Sequence, residues 1–225
     1  SPTCVMNFDD AQALCIGELG RGLNSLFTMV NTMRLEVALQ GVAIAGAATQ
    51  AAFDYAEQRS QGGRPDRPPV PIIGHPDVRR TLLTMRARTE GLRALTLEAA
   101  RQLDLGEHAP DESTRSEAEA LSSWLLPICK AAATEGGSEV SNLAIQVHGG
   151  YGYVRETGIE QYVRDARVGS IYEGTNGIQA LDLVTRKLIA DQGRRRQLFV
   201  ERIDETLCRT EKKIELDQIR SAVIA

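Results

Sequence analysis

Aromatic side chains are scarce in this 225-residue chain, at 4% of all residues. That scarcity, set beside abundant alanine, disfavours a β-sandwich and suits helices packed at close range. Cysteine has no useful grouping either. Cys4, Cys15, Cys129 and Cys208 include no Cys-x-x-Cys pair, and His75, His108 and His148 are as dispersed, so the sequence offers neither a disulfide framework nor metal-ligand spacing. A basic excess is missing: 26 Lys and Arg against 30 Asp and Glu leave a formal net charge of -4, with no field to attract nucleic acid or an anionic membrane. No uninterrupted apolar run approaches the roughly 18 residues of a membrane-spanning helix, and no signal peptide is apparent. The expected setting is cytoplasmic, where thiols stay reduced. Ser1-Pro2-Thr3 is not a natural start, so the sequence reads as a piece of a longer protein.

What the chain does have is helical periodicity. Cys4 to Phe8 has β-like content but is too short to form a sheet alone, and Gly17, Gly20 and Gly22 punctuate the exit from it. From about Leu23, Met33, Val37, Ile44 and Ala48 follow a three-to-four spacing for nearly forty residues. Gly41 and Gly46 inside this run cost about 1 kcal/mol each relative to alanine, which points to close approach of another helix or a ligand. A Gly- and Pro-rich loop over 62–73 precedes a second helix from Asp77 to about Gly106. Pro110 to Ser113 opens a third, in which Pro127 predicts a kink. Gly136-Gly137 predicts a break before a fourth helix carrying Val140, Leu143, Ala144 and Val147. The expected fold is all-α, an antiparallel four-helix-type bundle with a short β remnant at its N-terminus. His148 to Tyr153 reads as a tight exposed turn, Ile159 to Val168 as a short helix, and Gly177 to Ala190 as a last bundle helix. In the charged, amphipathic tail, Arg194-Arg195-Arg196 reads as a solvated linker face.

The most informative stretch is Ser170 to Gln179, which places Glu173 in a Gly-flanked turn at the mouth of an apolar helix beginning near Asn176. A carboxylate there, among small residues and near backbone N–H groups, suits proton abstraction beside a carbonyl. A surface glutamate favoured by the helix dipole fits the same residues.

Five separated elements, in order, resemble the acyl-CoA dehydrogenases: Arg34; Tyr55-Ala56 with Arg59; Ala144 to Tyr153; Tyr162 to Arg167; and Ile171 to Gln179. The similarity covers about residues 20 to 190, the family's C-terminal helical domain, and is nearest to the large branch that includes 3-methylmercaptopropionyl-CoA dehydrogenases. It divides the chain into the end of a middle β-domain (1–19), the helical bundle (20–191) and a helical tail (192–225) that resembles the start of a further domain.

The resemblance implies an FAD-dependent enzyme that desaturates acyl-CoA thioesters and passes electrons to an electron-transferring flavoprotein, as a homodimer or homotetramer. Glu173 matches the family's base, which takes an α-proton while the β-carbon gives a hydride to the flavin; its own backbone N–H is one donor to the thioester oxygen. Some members place the base just before the position of Arg34. Here that residue is Met33, which cannot take a proton, and Glu36 should point away. Arg59, Gln146 and Gly150 match residues that reach the flavin of a neighbouring subunit, and Thr175 and Asn176 match contacts to the flavin of their own, with helix capping as the alternative for these two. Tyr172 and Gly174 are expected to border the thioester. Arg34 is expected to meet the CoA end or a buried acid. Asp165 and Arg167 are expected to form a surface salt bridge. Two rival readings accompany this one, an acyl-CoA oxidase and a non-catalytic helical interaction module.

Overall fold

A computed structural model describes residues 4–208, the side chain of Asn24 excepted. Three long helices dominate: α1 (Gly22–Gln58), α2 (Pro76–His108) and α3 (Glu112–His148). Shorter ones follow: α4 (Gly150–Tyr153), α5 (Ile159–Gly169), α6 (Asn176–Asp182) and α7 (Arg194–Cys208), with a π-helical segment, Leu183–Ile189, continuing α6. The helices start where their residues can terminate a backbone. Pro76 occupies the first turn of α2, and the Asp111 carboxylate accepts from the Thr114 N–H at 2.8 Å to cap α3. That bond holds the Asp111 carboxyl below its usual range.

The all-α bundle expected from the pattern is present, but it has one fewer long helix. Gly136-Gly137 does not break the chain; both lie buried inside the continuous 37-residue α3, as does Pro127. The glycines are there for a crossing. A Cβ on Gly41 of α1 would fall 2.3 Å from the Ala133 carbonyl oxygen, and one on Gly137 would fall 2.9 Å from the Gly41 carbonyl oxygen. The two backbones touch, and only residues without side chains permit that. Around this crossing Ala38, Val42 and Ala133 pack with Trp124 and Leu125, and further along Ala45, Ala48, Ala52 and Ala56 pack against Leu82, Met85, Val140 and Ala144.

Gly41→Ala is therefore expected to destabilise the chain by about 3 kcal/mol, since a backbone carbonyl cannot step aside as a side chain can. Gly91→Ala in α2 is the control. Its Cβ meets nothing within 4 Å, so it is expected to stabilise by roughly 0.5–1 kcal/mol through helix propensity alone. Urea midpoints of the two variants check this; equal midpoints would contradict the crossing argument.

Cys4 to Phe8 forms no strand among the described residues, because a lone segment has no neighbour with which to share a hydrogen-bond ladder. The triple arginine is helical rather than a linker, with Arg194 and Arg196 exposed. It opens α7, and Arg195 bonds to Asp191 at 2.7 Å. Leu198, Ile203 and Leu207 of the tail are half-buried, while Ile214, Ile219 and Ser1 to Thr3 lie outside the described residues.

Candidate active site

Helix α5 ends at Gly169, and the chain turns through Ser170 to Thr175 before α6 begins. The Asn176 N–H donates to the Ser170 carbonyl at 3.2 Å and closes this turn. At its tip Glu173 has φ +52 and Gly174 φ +85. A glutamate in the left-handed region is uncommon and costs on the order of 1–2 kcal/mol, so the surroundings must hold it there. Among the described residues the backbone N–H groups of Glu173, Gly174 and Thr175 have no hydrogen-bond partner. The turn thus presents a half-buried carboxylate with unpaired donors beside it. Those are the parts needed to take a proton next to a carbonyl whose oxygen must be stabilised.

The turn is gripped from below. Lys130 of α3, 0% exposed, donates to the Gly174 carbonyl at 2.7 Å and to Asn176 Oδ1 at 3.1 Å. Gln179, 1% exposed, donates to the same Gly174 carbonyl at 3.2 Å. The Asn176 amide nitrogen donates to Thr134 and Glu135 of α3. The Asn176 side chain is therefore committed within the chain, and Thr175 caps α6 by accepting from the Ile178 N–H. Gly174 leaves room for Gln179, whose Nε2 would sit 2.8 Å from an added Cβ. The Tyr172 hydroxyl donates to Gln40 of α1. Met33 is half-buried, and Glu36 is exposed as expected.

Lys130 escaped the sequence reading. Its signal was a single cation in the otherwise apolar stretch from Trp124 to Ala133. Burial, with nearby Arg34 acting in the same sense and Glu135 and Glu173 opposing, brings its pKa down to about 8.

Arg59, Gln146 and Gly150 come together elsewhere, in a cleft of about 420 Å³ between the end of α1 and the junction of α3 with α4; Tyr55, His148 and Tyr151 also line it. Gly149 turns the chain with φ +62, and a Cβ on Gly150 would meet only open space. Tyr55 stacks on His148 with ring centroids 4.3 Å apart, and His148 Nδ1 donates to the Ala144 carbonyl at 2.8 Å. The loop behind Arg59 is pinned by the Ile72 N–H, which donates to the Arg59 carbonyl at 2.8 Å. None of Tyr172, Glu173 or Gly174 borders this cleft.

The sequence matches the acyl-CoA dehydrogenase C-terminal domain over residues 20–189. The chain belongs to the acyl-CoA dehydrogenase family. It is 48% identical to the 3-methylmercaptopropionyl-CoA dehydrogenase of Ruegeria pomeroyi over 92% of its own length and 35% of that protein. It is 30% identical to the caffeyl-CoA reductase-Etf complex subunit CarC of Acetobacterium woodii, over 74% of the chain and 39% of the relative. The solved butyryl-CoA dehydrogenase of Megasphaera elsdenii superposes with a TM-score of 0.63 at 30% identity, covering 74% of this chain and 39% of that one. The chain spans about a third of the length of the first curated relatives it matches, 35% and 33%.

Family members are generally FAD-dependent, and the chemistry of the cleft's lining fits the phosphate part of such a group. It offers an exposed guanidinium, an exposed amide and approachable backbone at Gly149 and Gly150. Of the two partners expected for Arg34, the structure shows the acid. Its Nη1 lies 3.0 Å from Asp182 Oδ2 with both side chains almost fully buried, so no face is open to CoA. Asp165 and Arg167 do not pair: Asp165 accepts from Gln161 at 2.7 Å, and Arg167 bonds to Ser170. Residues two apart on a helix do not face each other. Among the described residues no helix is long and apolar enough to cross a membrane, and no group of His, Cys, Asp or Glu has metal-site spacing. Burial pushes the Cys129 thiol up to about 12, leaving it a packing residue.

Proposed function

We propose that the complete protein is a flavin-dependent acyl-CoA dehydrogenase in which Glu173 removes the α-proton of the thioester. The observation that carries this reading is the left-handed Glu173, held half-buried with unpaired backbone N–H groups alongside it. Those N–H groups favour the negative charge that develops on the thioester oxygen, each donor contributing on the order of 3 kcal/mol. An acyl chain seated over the turn excludes water from the carboxylate, which strengthens it as a base. Tyr172, fixed by Gln40, borders the thioester. Bound FAD would supply the acceptor for the β-hydride.

Thr175, exposed at the start of α6, contacts the flavin of its own subunit, together with the backbone at Asn176. Arg59, Gln146 and Gly150 hold the diphosphate and adenine of a flavin belonging to a second copy, and so the active unit is at least a homodimer. A relative named as a subunit of an Etf complex supports an electron-transferring flavoprotein as the electron acceptor.

The test is anaerobic mixing of the complete yellow protein with a panel of acyl-CoA thioesters. Flavin bleaching with stoichiometric enoyl-CoA is the expected result, while the 225-residue chain alone should be colourless. No bleaching by any thioester would remove the proposal, and rapid peroxide formation on admitting air would make the enzyme an oxidase.

A further inference from the structure

We infer that Lys130 is a positioning residue for the Glu173 turn, holding the Gly174 carbonyl from below and setting a positive charge beneath the carboxylate. The inference rests on Glu173 being the base. Lys130 is entirely buried in the middle of α3, a place where an apolar side chain would pack at far lower cost. Both of its hydrogen bonds go to the turn or to the first residue of α6. It joins the core helix to the one segment, among the described residues, whose backbone is strained at a glutamate.

The contact does two things. Geometrically, it ties the peptide that follows Gly174, so the left-handed pair at 173 and 174 cannot relax toward ordinary torsions without breaking a charge-assisted bond in a dry environment. Electrostatically, the ammonium's charge strengthens its bond to the Gly174 carbonyl beyond that of a neutral donor. The charged groups around Lys130 are Arg34 from α1, Glu135 from its own helix and Glu173 from the turn; Asp182 from α6 neutralises Arg34. Arg34 is held in its pair with Asp182, and Lys130 faces both glutamates. With a pKa of about 8 it is charged near neutrality and loses that charge as pH rises. Deprotonation takes the charge assistance from the bond to Gly174 and loosens the turn, so proton abstraction should then weaken on the alkaline side.

The experiment uses the complete flavin-loaded enzyme and phenylacetyl-CoA, which has α-hydrogens but no β-hydrogen to transfer. Exchange of its α-protons with deuterated solvent reports the base alone. Lys130→Met is expected to slow exchange on the order of 100-fold, as for a reacting group displaced by about 1 Å, while thioester affinity and flavin content stay within about threefold. Lys130→Arg, which keeps the charge, should recover part of the rate and move the alkaline decline upward. A flavin-loaded Lys130→Met enzyme that exchanges within about threefold of the parent overturns the inference. Where that variant fails to load flavin, the parent's own pH profile decides: a decline above about pH 8 supports the role of Lys130, and a flat profile to about pH 10 overturns it. Glu173→Gln separates this inference from the reading beneath it. Exchange that persists in Glu173→Gln removes the base assignment itself, whereas its loss there alongside parent-like Lys130→Met removes only the role of Lys130.

Discussion

Glu173→Gln in the complete enzyme is expected to lower turnover on the order of 10⁴-fold while leaving flavin content and thioester affinity nearly unchanged. Glutamine matches glutamate in size and meets the same torsional demand at φ +52, so the turn should keep its shape. What it lacks is a site for the proton. No other carboxylate is placed to substitute: position 33 is methionine, and Glu36 is exposed on α1. The measurement is steady-state turnover with the physiological or a dye acceptor, together with a thioester titration followed in the flavin spectrum. Turnover within about tenfold of the parent would remove Glu173 as the base and assign the proton to another group.

Removing one side of the Arg34–Asp182 pair should have the largest effect on stability. Asp182→Ala is expected to cost about 3–5 kcal/mol, because it leaves a guanidinium buried with its counterion gone. Arg34 Nε already lacks a partner among the described residues, so this site has no spare acceptor. Of the other charges near Asp182, Arg186 at 3.6 Å lies on the exposed side and can turn to water, and Lys187 donates to Ser123. The double variant Arg34→Met with Asp182→Leu should recover most of the loss, since an apolar pair of similar volume has no desolvation penalty. Chemical denaturation of the two variants beside the parent reads this directly. A cost below about 1 kcal/mol for Asp182→Ala would mean that water reaches the pair.

The helices were legible from the sequence because their signal is local. A three-to-four spacing sustained along α1, the start of α2 near Asp77 and the Pro110 to Ser113 opening of α3 each act within a turn or two of chain. The misread positions depended on distant partners. Gly136-Gly137 looks the same whether it breaks a helix or lets one cross another, and the difference lies in Gly41 on α1. Arg34 has its acid 148 residues away, and Lys130 has its acceptor 44 residues away, so nothing beside either residue in the sequence reveals its role. Gly174 was expected to border the thioester, and nothing beside it in the sequence reveals that Gln179 occupies the space next to it within the chain. Arg59, Gln146 and Gly150 were placed by resemblance, and the structure brings them into one cleft.

Helix α3 carries Lys130 under the turn and Gln146 at the cleft on a single uninterrupted rod. The 16 positions between them (146 − 130) set an axial offset of about 24 Å. Deleting or inserting one residue in that interval would swing one end by about 100° against the other, so α3 works as a ruler whose length tolerates substitution but not a change in count.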